Sequence, residues 1–240
     1  MKRLTLLFLF FWAVSITAQT NPNEHISSFN MTSFTYKHDK HWLLYVELQE
    51  RGIEDYSKID YYEMKGGIGY NINKHHQPFI GIGKYGTYKN NKFYQNELRI
   101  WLQYIYSHNI SIAKIDHRLR AEKRFFDFPQ TNTEDDTERY RYRFTTTVPI
   151  NSKKIAPKTL YANAFDEMFV GPDFPTFKRN RVFGGLGYVF SDYVNANLGY
   201  LWQREFGATS NRNLHFLYFG LNFTFDRLKY NETHKIPVAD

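Results

Sequence analysis

The chain has 240 residues, a formal net charge of +7 and a mean hydropathy of -0.58, yet 19% of its residues are aromatic. That length suits one large domain or two small ones. The absence of cysteine excludes disulfides and any cysteine-based metal or nucleophile chemistry. Abundant Tyr and Phe with a polar mean hydropathy fit a membrane β-barrel, in which only alternate residues meet lipid, and also a secreted β-sandwich.

At the N-terminus, Lys2 and Arg3 precede an apolar run from Leu4 to Ile16, and Ala18–Gln19 offers a cleavage point. This pattern predicts a signal peptide over residues 1–18 rather than a retained anchor, because a spanning helix needs ~20 apolar residues. No cysteine follows the cleavage point, so a lipoprotein is excluded. Cleavage lowers the formal net charge from +7 to +5. The expected organisation is a signal peptide (1–18), one β-barrel domain (19–226) and a polar C-terminal tail (227–240).

Beyond Gln19 the recurring pattern is about ten alternating residues and then a polar break, the period of a strand with two different faces. Residues 41–51 set Trp42, Leu44, Val46 and Leu48 against Tyr45, Glu47, Gln49 and Arg51. Residues 59–70 set Tyr62, Met64, Ile68 and Tyr70 against Tyr61, Glu63 and Lys65. Residues 78–88 are glycine-rich and their parity is ambiguous. Residues 93–106 oppose Leu98, Ile100 and Leu102 to Glu97, Arg99 and Gln103, with Trp101 on the polar parity. Two strongly basic runs follow: Lys114, Asp116, Arg118, Arg120, Glu122 and Arg124 at every second position, then Arg139, Arg141 and Arg143 against Tyr140, Tyr142 and Phe144. The later strands place Tyr161, Asn163 and Glu167, then Arg179 and Arg181, then Asn195, Asn197, Gln203 and Glu205 on the polar side. The last, 213–226, alternates Leu217, Phe219, Leu221, Phe223 and Phe225 with Tyr218, Gly220, Asn222 and Thr224.

The count is ten strands. A further stretch near 26–36 would make eleven, which the even numbers of bacterial barrels disfavour. Twelve strands, or exclusion of 26–36 from the wall, are the expected outcomes. The breaks sort onto two sides, with DFPQTNTEDDT (127–137) the longest on the side expected to face outward, and SHN (107–109) a short turn on the other. Strands of this length exceed those of sandwiches, and the charged parity cannot fill a soluble core without unpaired buried charge. A closed antiparallel transmembrane barrel of about 10–12 strands satisfies both faces and leaves no sheet edge in lipid. A secreted sandwich or lipocalin-like barrel is the alternative.

The order and spacing of ELQER (47–51), ELRIWLQ (97–103), HRLRAEKRF (117–125), RYRYRF (139–144), Glu167, Asn180–Arg181 and LGY (198–200) resemble an uncharacterised bacterial family. That family is known only as domain of unknown function 2490 and is regarded as an outer-membrane barrel. The resemblance spans about residues 28 to 225 and implies location and fold, not activity.

The expected lumen network comprises Glu47, Arg51, Glu63, Glu97, Arg99, Arg118, Arg120, Glu122, Arg124, Arg139, Arg141, Arg143, Glu167, Arg181 and Glu205. Counting the whole inner parity gives twelve basic groups against seven acidic ones. The leading reading is a non-enzymatic outer-membrane barrel of a Gram-negative bacterium, rigidified by Arg–carboxylate pairs. A porin-like narrow pore preferring small anions is the first alternative, and a lipid-modifying enzyme the second. For the enzyme, His117 (lipid parity), His108 (a short turn) and His215 (a strand start) are the histidines to consider, and none has a nearby Ser at a suggestive spacing. No catalytic set, cofactor or metal is expected, and His75–His76 reads as a solvated turn. Glycines in the strands are expected to ease wall curvature. Expected partners are outer-membrane lipid, lipopolysaccharide phosphates near Lys123 and Arg204, and the barrel assembly machinery. Nucleic acid is not among them.

Overall fold

The computed structural model describes residues 25–54 and 56–229. The expected signal peptide lies outside the described residues, as does most of the polar tail. Eleven strands form one closed barrel: β1 (Ile26–Lys37), β2 (Trp42–Gly52), β3 (Tyr61–Tyr70), β4 (His76–Lys89), β5 (Lys92–Ile110), β6 (Ala113–Phe128), β7 (Thr133–Pro149), β8 (Leu160–Val170), β9 (Phe177–Val189), β10 (Val194–Phe206) and β11 (Asn211–Asp226). Neighbours in sequence pair antiparallel. The closing pair, β1 with β11, is parallel, running from Ile26↔His215 to Lys37↔Asp226.

The strand count corrects the expectation of an even number. The stretch 26–36 belongs to the wall, and an odd number of strands joined in sequence by antiparallel steps closes only through one parallel seam. Serines tie its start: Ser27 and Ser28 donate from Oγ to the carbonyls of Ile53 and Tyr56, each at 2.9 Å. At its far end Asp39 caps the turn into β2, accepting the amides of Trp42 and His41 at 2.7 Å each. Those two donors hold its carboxyl below the usual range.

Two expected loops are strand. Ser107–Asn109 lies in β5, and the turn is Ser111–Ile112, with Ser111 at a φ of 55°. Most of DFPQTNTEDDT is paired as well, and only residues 129–132 form the turn. These segments are polar because the strands run on past the apolar stretch of the outer wall, and polarity there imitates a loop. The asymmetry of the barrel therefore lies in projecting strands, β5 to β7, of 19, 16 and 17 residues, more than in loop length. The tight turn between β4 and β5 uses Asn90 and Asn91, with φ of 52° and 60°, the demand of a two-residue hairpin turn.

The ambiguous run 78–88 resolves with Phe79 and Tyr85 buried inside and Ile80 and Ile82 exposed outside. Its glycines make room for inward rings in addition to easing curvature. A Cβ on Gly81 would lie 2.2 Å from the Trp101 ring, and one on Gly187 2.2 Å from the Tyr161 ring. Gly81→Val should therefore displace Trp101 and lower unfolding stability by about 1–3 kcal/mol, read by chemical denaturation with tryptophan fluorescence. An unchanged midpoint would show that the ring has room to move.

Candidate functional site

The inner face divides into an apolar part and an ionic part. Phe29, Phe183, Leu201, Leu214, Phe216 and Tyr218 form one buried cluster across β1, β9, β10 and β11, with Met31, Ile53 and Phe165 packed against it. Leu43, Phe79 and Trp101 form a second cluster, with Tyr45 beside it. Large aromatic side chains share the inward parity with the charges, as the filling of a small barrel requires.

The ionic part begins with two like-charged cross-strand pairs. Register sets Arg118 opposite Arg143 and Arg120 opposite Arg141 across β6 and β7. Such pairs repel, and carboxylates from flanking positions hold them. Glu167 on β8, with a side chain 0% exposed, accepts from Arg118 Nη2 at 2.6 Å and from Arg141 Nε and Nη2 at 2.9 and 2.5 Å. All three reach its Oε1, while Arg143 Nη2 reaches its Oε2 at 2.7 Å. Glu122, which faces Arg139 in register, accepts from Arg139 Nε at 2.7 Å and Arg141 Nη1 at 2.7 Å, with Arg120 Nη1 at 3.5 Å. Arg120 is held chiefly by Gln103, donating from Nε at 2.9 Å and Nη2 at 2.5 Å. Glu97 accepts from Arg99 Nε at 2.8 Å and Arg124 Nε at 2.7 Å. Arg99 lies 3.9 Å from Glu122, so the lattice runs unbroken from Arg124 to Arg143.

A second group joins β2 and β3. Arg51 pairs with Glu63, and Lys65 Nζ bridges Glu63 at 2.5 Å and Glu47 at 2.8 Å. Tyr45 and Gln49 also donate to Glu47. A third joins β9 and β10, where Arg179 pairs with Glu205 and Arg181 Nε donates to Gln203 at 2.5 Å. Asp116 binds Lys114 at 3.0 Å and Ser107 near the turn-side rim.

Aromatic rings cushion the guanidiniums. Phe169 stands within cation–π distance of Arg141 at 4.5 Å, Arg181 at 5.1 Å, Arg139 at 5.2 Å and Arg179 at 5.5 Å. Arg99 lies 3.7 Å from the Tyr85 ring centroid, Arg120 4.8 Å from Trp101, and Arg51 between Phe29 and Tyr61. Weakly hydrated, planar guanidinium suits such stacking better than an ammonium group. Phe169 was legible only as a parity mate of Glu167, and nothing in its residue type signals this role.

The histidines stand apart from the lattice. His117 accepts or donates at 2.8 Å with Tyr142 Oη, and its ring stacks on His108 at 5.4 Å. His108 is thus a strand residue of β5, not a turn residue. His215 contacts Tyr200 Oη, and His76 contacts Tyr104 Oη at 2.6 Å. The rings of His75 and His76 are 6.4 Å apart.

Fold and interior define the class: a closed eleven-stranded barrel, mostly antiparallel, around a buried Arg–Glu salt-bridge network. A model of the family described as protein of unknown function (DUF2490) matches residues 26–214, and the chain belongs to that family. No curated protein matches it.

Arg141 joins both central carboxylates, whereas Arg120 has a neutral Gln as its main partner. Arg141→Gln should cost ~3–5 kcal/mol of unfolding free energy, as for one partner of a buried pair. Arg120→Gln should cost about 1–3 kcal/mol. Denaturant titration of both variants checks the order, and equal losses would contradict it.

Proposed function

We propose that this chain is an exported barrel of the Gram-negative outer membrane, a non-catalytic structural element whose interior is closed by its own ion pairs. The outward face carries the reading. Leu44, Met64, Ile82, Ile100, Leu102, Leu119, Leu186 and Leu198 are all exposed on the wall, Leu102 at 64%. A continuous apolar surface of this kind far exceeds the isolated patches of soluble monomers. Aromatic groups border it toward both rims. Tyr70, Tyr104 and Tyr106 lie near the turns, and Tyr62, Tyr88 and Tyr140 near the projecting hairpins. Barrels place Tyr and Trp at the two interfaces in this way. Among the described residues no helix is long and apolar enough to cross a membrane, and the reading rests on strands alone.

Beyond lipid, the proposal names the assembly machinery and lipopolysaccharide as partners. Of the two cations suggested for lipopolysaccharide phosphates, Lys123 is engaged by Asp136, while Arg204 stacks on Phe206 at 5.4 Å. The outer-face histidines His117 and His215 contact the hydroxyls of Tyr142 and Tyr200.

The protein should fractionate with outer membranes and migrate differently on a gel before and after boiling. Leu102→Arg should reduce assembly by ~2–4 kcal/mol if it lies near the bilayer midplane. On a water-facing wall the same change would be nearly neutral, and that outcome would defeat the membrane reading. In planar bilayers the closed lattice predicts no steady conductance. A stable anion-selective current would instead establish the pore.

A further inference from the structure

An internal cavity of about 260 Å³ lies against the ionic part of the lumen. Seven arginines and Lys65 line it, and Glu47 and Glu63 are the carboxylates in its lining. Glu97, Glu122 and Glu167, which hold the arginine lattice together, do not line it. They sit behind the guanidiniums at the wall, so the surface facing the void is strongly cationic.

One row of side chains concentrates this effect. Register aligns Arg118 with Arg143, Arg143 with Glu167, and Glu167 with Arg181, across β6, β7, β8 and β9. The three arginines line the cavity, and the carboxylate between them does not. Arg118 and Arg143 share Glu167, and each keeps a buried Nε–H with no hydrogen-bond partner. Arg181 is 7% exposed, donates from Nε to the neutral Gln203, and forms no salt bridge among the described residues.

The cavity also has an approach. A second cavity of about 260 Å³ lies at the turn-side rim beside Lys74, His75, Lys114 and its partner Asp116, and it shares Arg118, Arg143 and Thr145 with the inner one. Those shared residues form the partition between rim and chamber, and cations at the rim favour the arrival of anions.

We propose that the chamber binds one small phosphate-type oxyanion, taken from solution through the turn-side rim and held by Arg118, Arg143 and Arg181. Guanidinium forks match tetrahedral oxyanions in geometry as well as charge. The volume falls below the ~300–1,000 Å³ of sites for larger organic ligands. It suits phosphate or pyrophosphate and not an acylated headgroup, and the site lies inside the wall rather than on its apolar exterior. The site depends on the barrel interior alone and stands independently of what surrounds the outer face.

The test is isothermal titration calorimetry of the full barrel in maltoside micelles with inorganic phosphate, pyrophosphate or dihexanoyl phosphatidic acid, at ionic strength held constant with chloride. Saturable binding of pyrophosphate or phosphate at one per chain is expected, with Arg181→Gln weakening it about tenfold or more. Arg118→Gln serves as the second variant, and unboiled gel mobility verifies that each is folded. The proposal is overturned by absence of saturable heat with both inorganic anions, or by wild-type affinity in both folded variants. Preference for the phosphatidic acid would overturn the soluble-anion assignment.

Discussion

Glu167 offers two oxygen atoms, both inside the barrel, to arginines that reach it from two strands at once. Without it, Arg118 and Arg143 would face each other across β6 and β7 with no anion between them. The hairpin β6–β7 is therefore completed by β8, a strand that follows it in the chain. Local pairing and global closure become one requirement, because cross-strand like charges are tolerable only when the next strand delivers its carboxylate. Glu122 plays the matching part within the hairpin, and Arg141 ties the two centres together.

The remainder of the lumen follows a different rule. Across β1, β9, β10 and β11 the inward residues include Phe29, Phe183, Leu201 and Phe216, packed as a core would be. The rings of Phe29 and Phe216 meet edge-on at 5.7 Å, and those of Phe165 and Phe183 stack at 5.1 Å. The larger apolar cluster and the central arginine lattice thus occupy different sides of one interior, and aromatic faces join them. Phe169 and Tyr85 belong to both, buried as core residues while their π faces receive guanidinium charge. Stability on the apolar side should be insensitive to salt, and short buried pairs on the other side are screened only weakly.

Alternation alone made most of the wall legible. Where charged and apolar residues exchange strictly, as in Arg139 to Phe144, the two faces could be assigned before any contact was known. Legibility failed where that exchange is absent. β1 is a different case: its stretch alternates, and only the even-number rule argues against it, a rule the parallel seam escapes. In β4 the glycines erase one parity, although they are required by the rings of Phe79 and Trp101 beside them. In the projecting hairpins, polarity on both faces marks water rather than irregular backbone. At the site, residue type exposed every charged member, but not which carboxylate would stand behind the arginines and which would line the cavity. That distinction comes from register across four strands, which one chain of letters does not display.

The parallel seam sets a condition on the two ends of the wall. β1 starts beside Ile53 and Tyr56, at the rim of the projecting hairpins, while β11 ends beside Lys37 at the other rim. An even-stranded barrel returns both ends to the side from which it was inserted. Here the two ends of the wall stand at opposite rims, a full strand length apart. The pair that closes the wall is thus also the one that separates its first strand's start from its last strand's end.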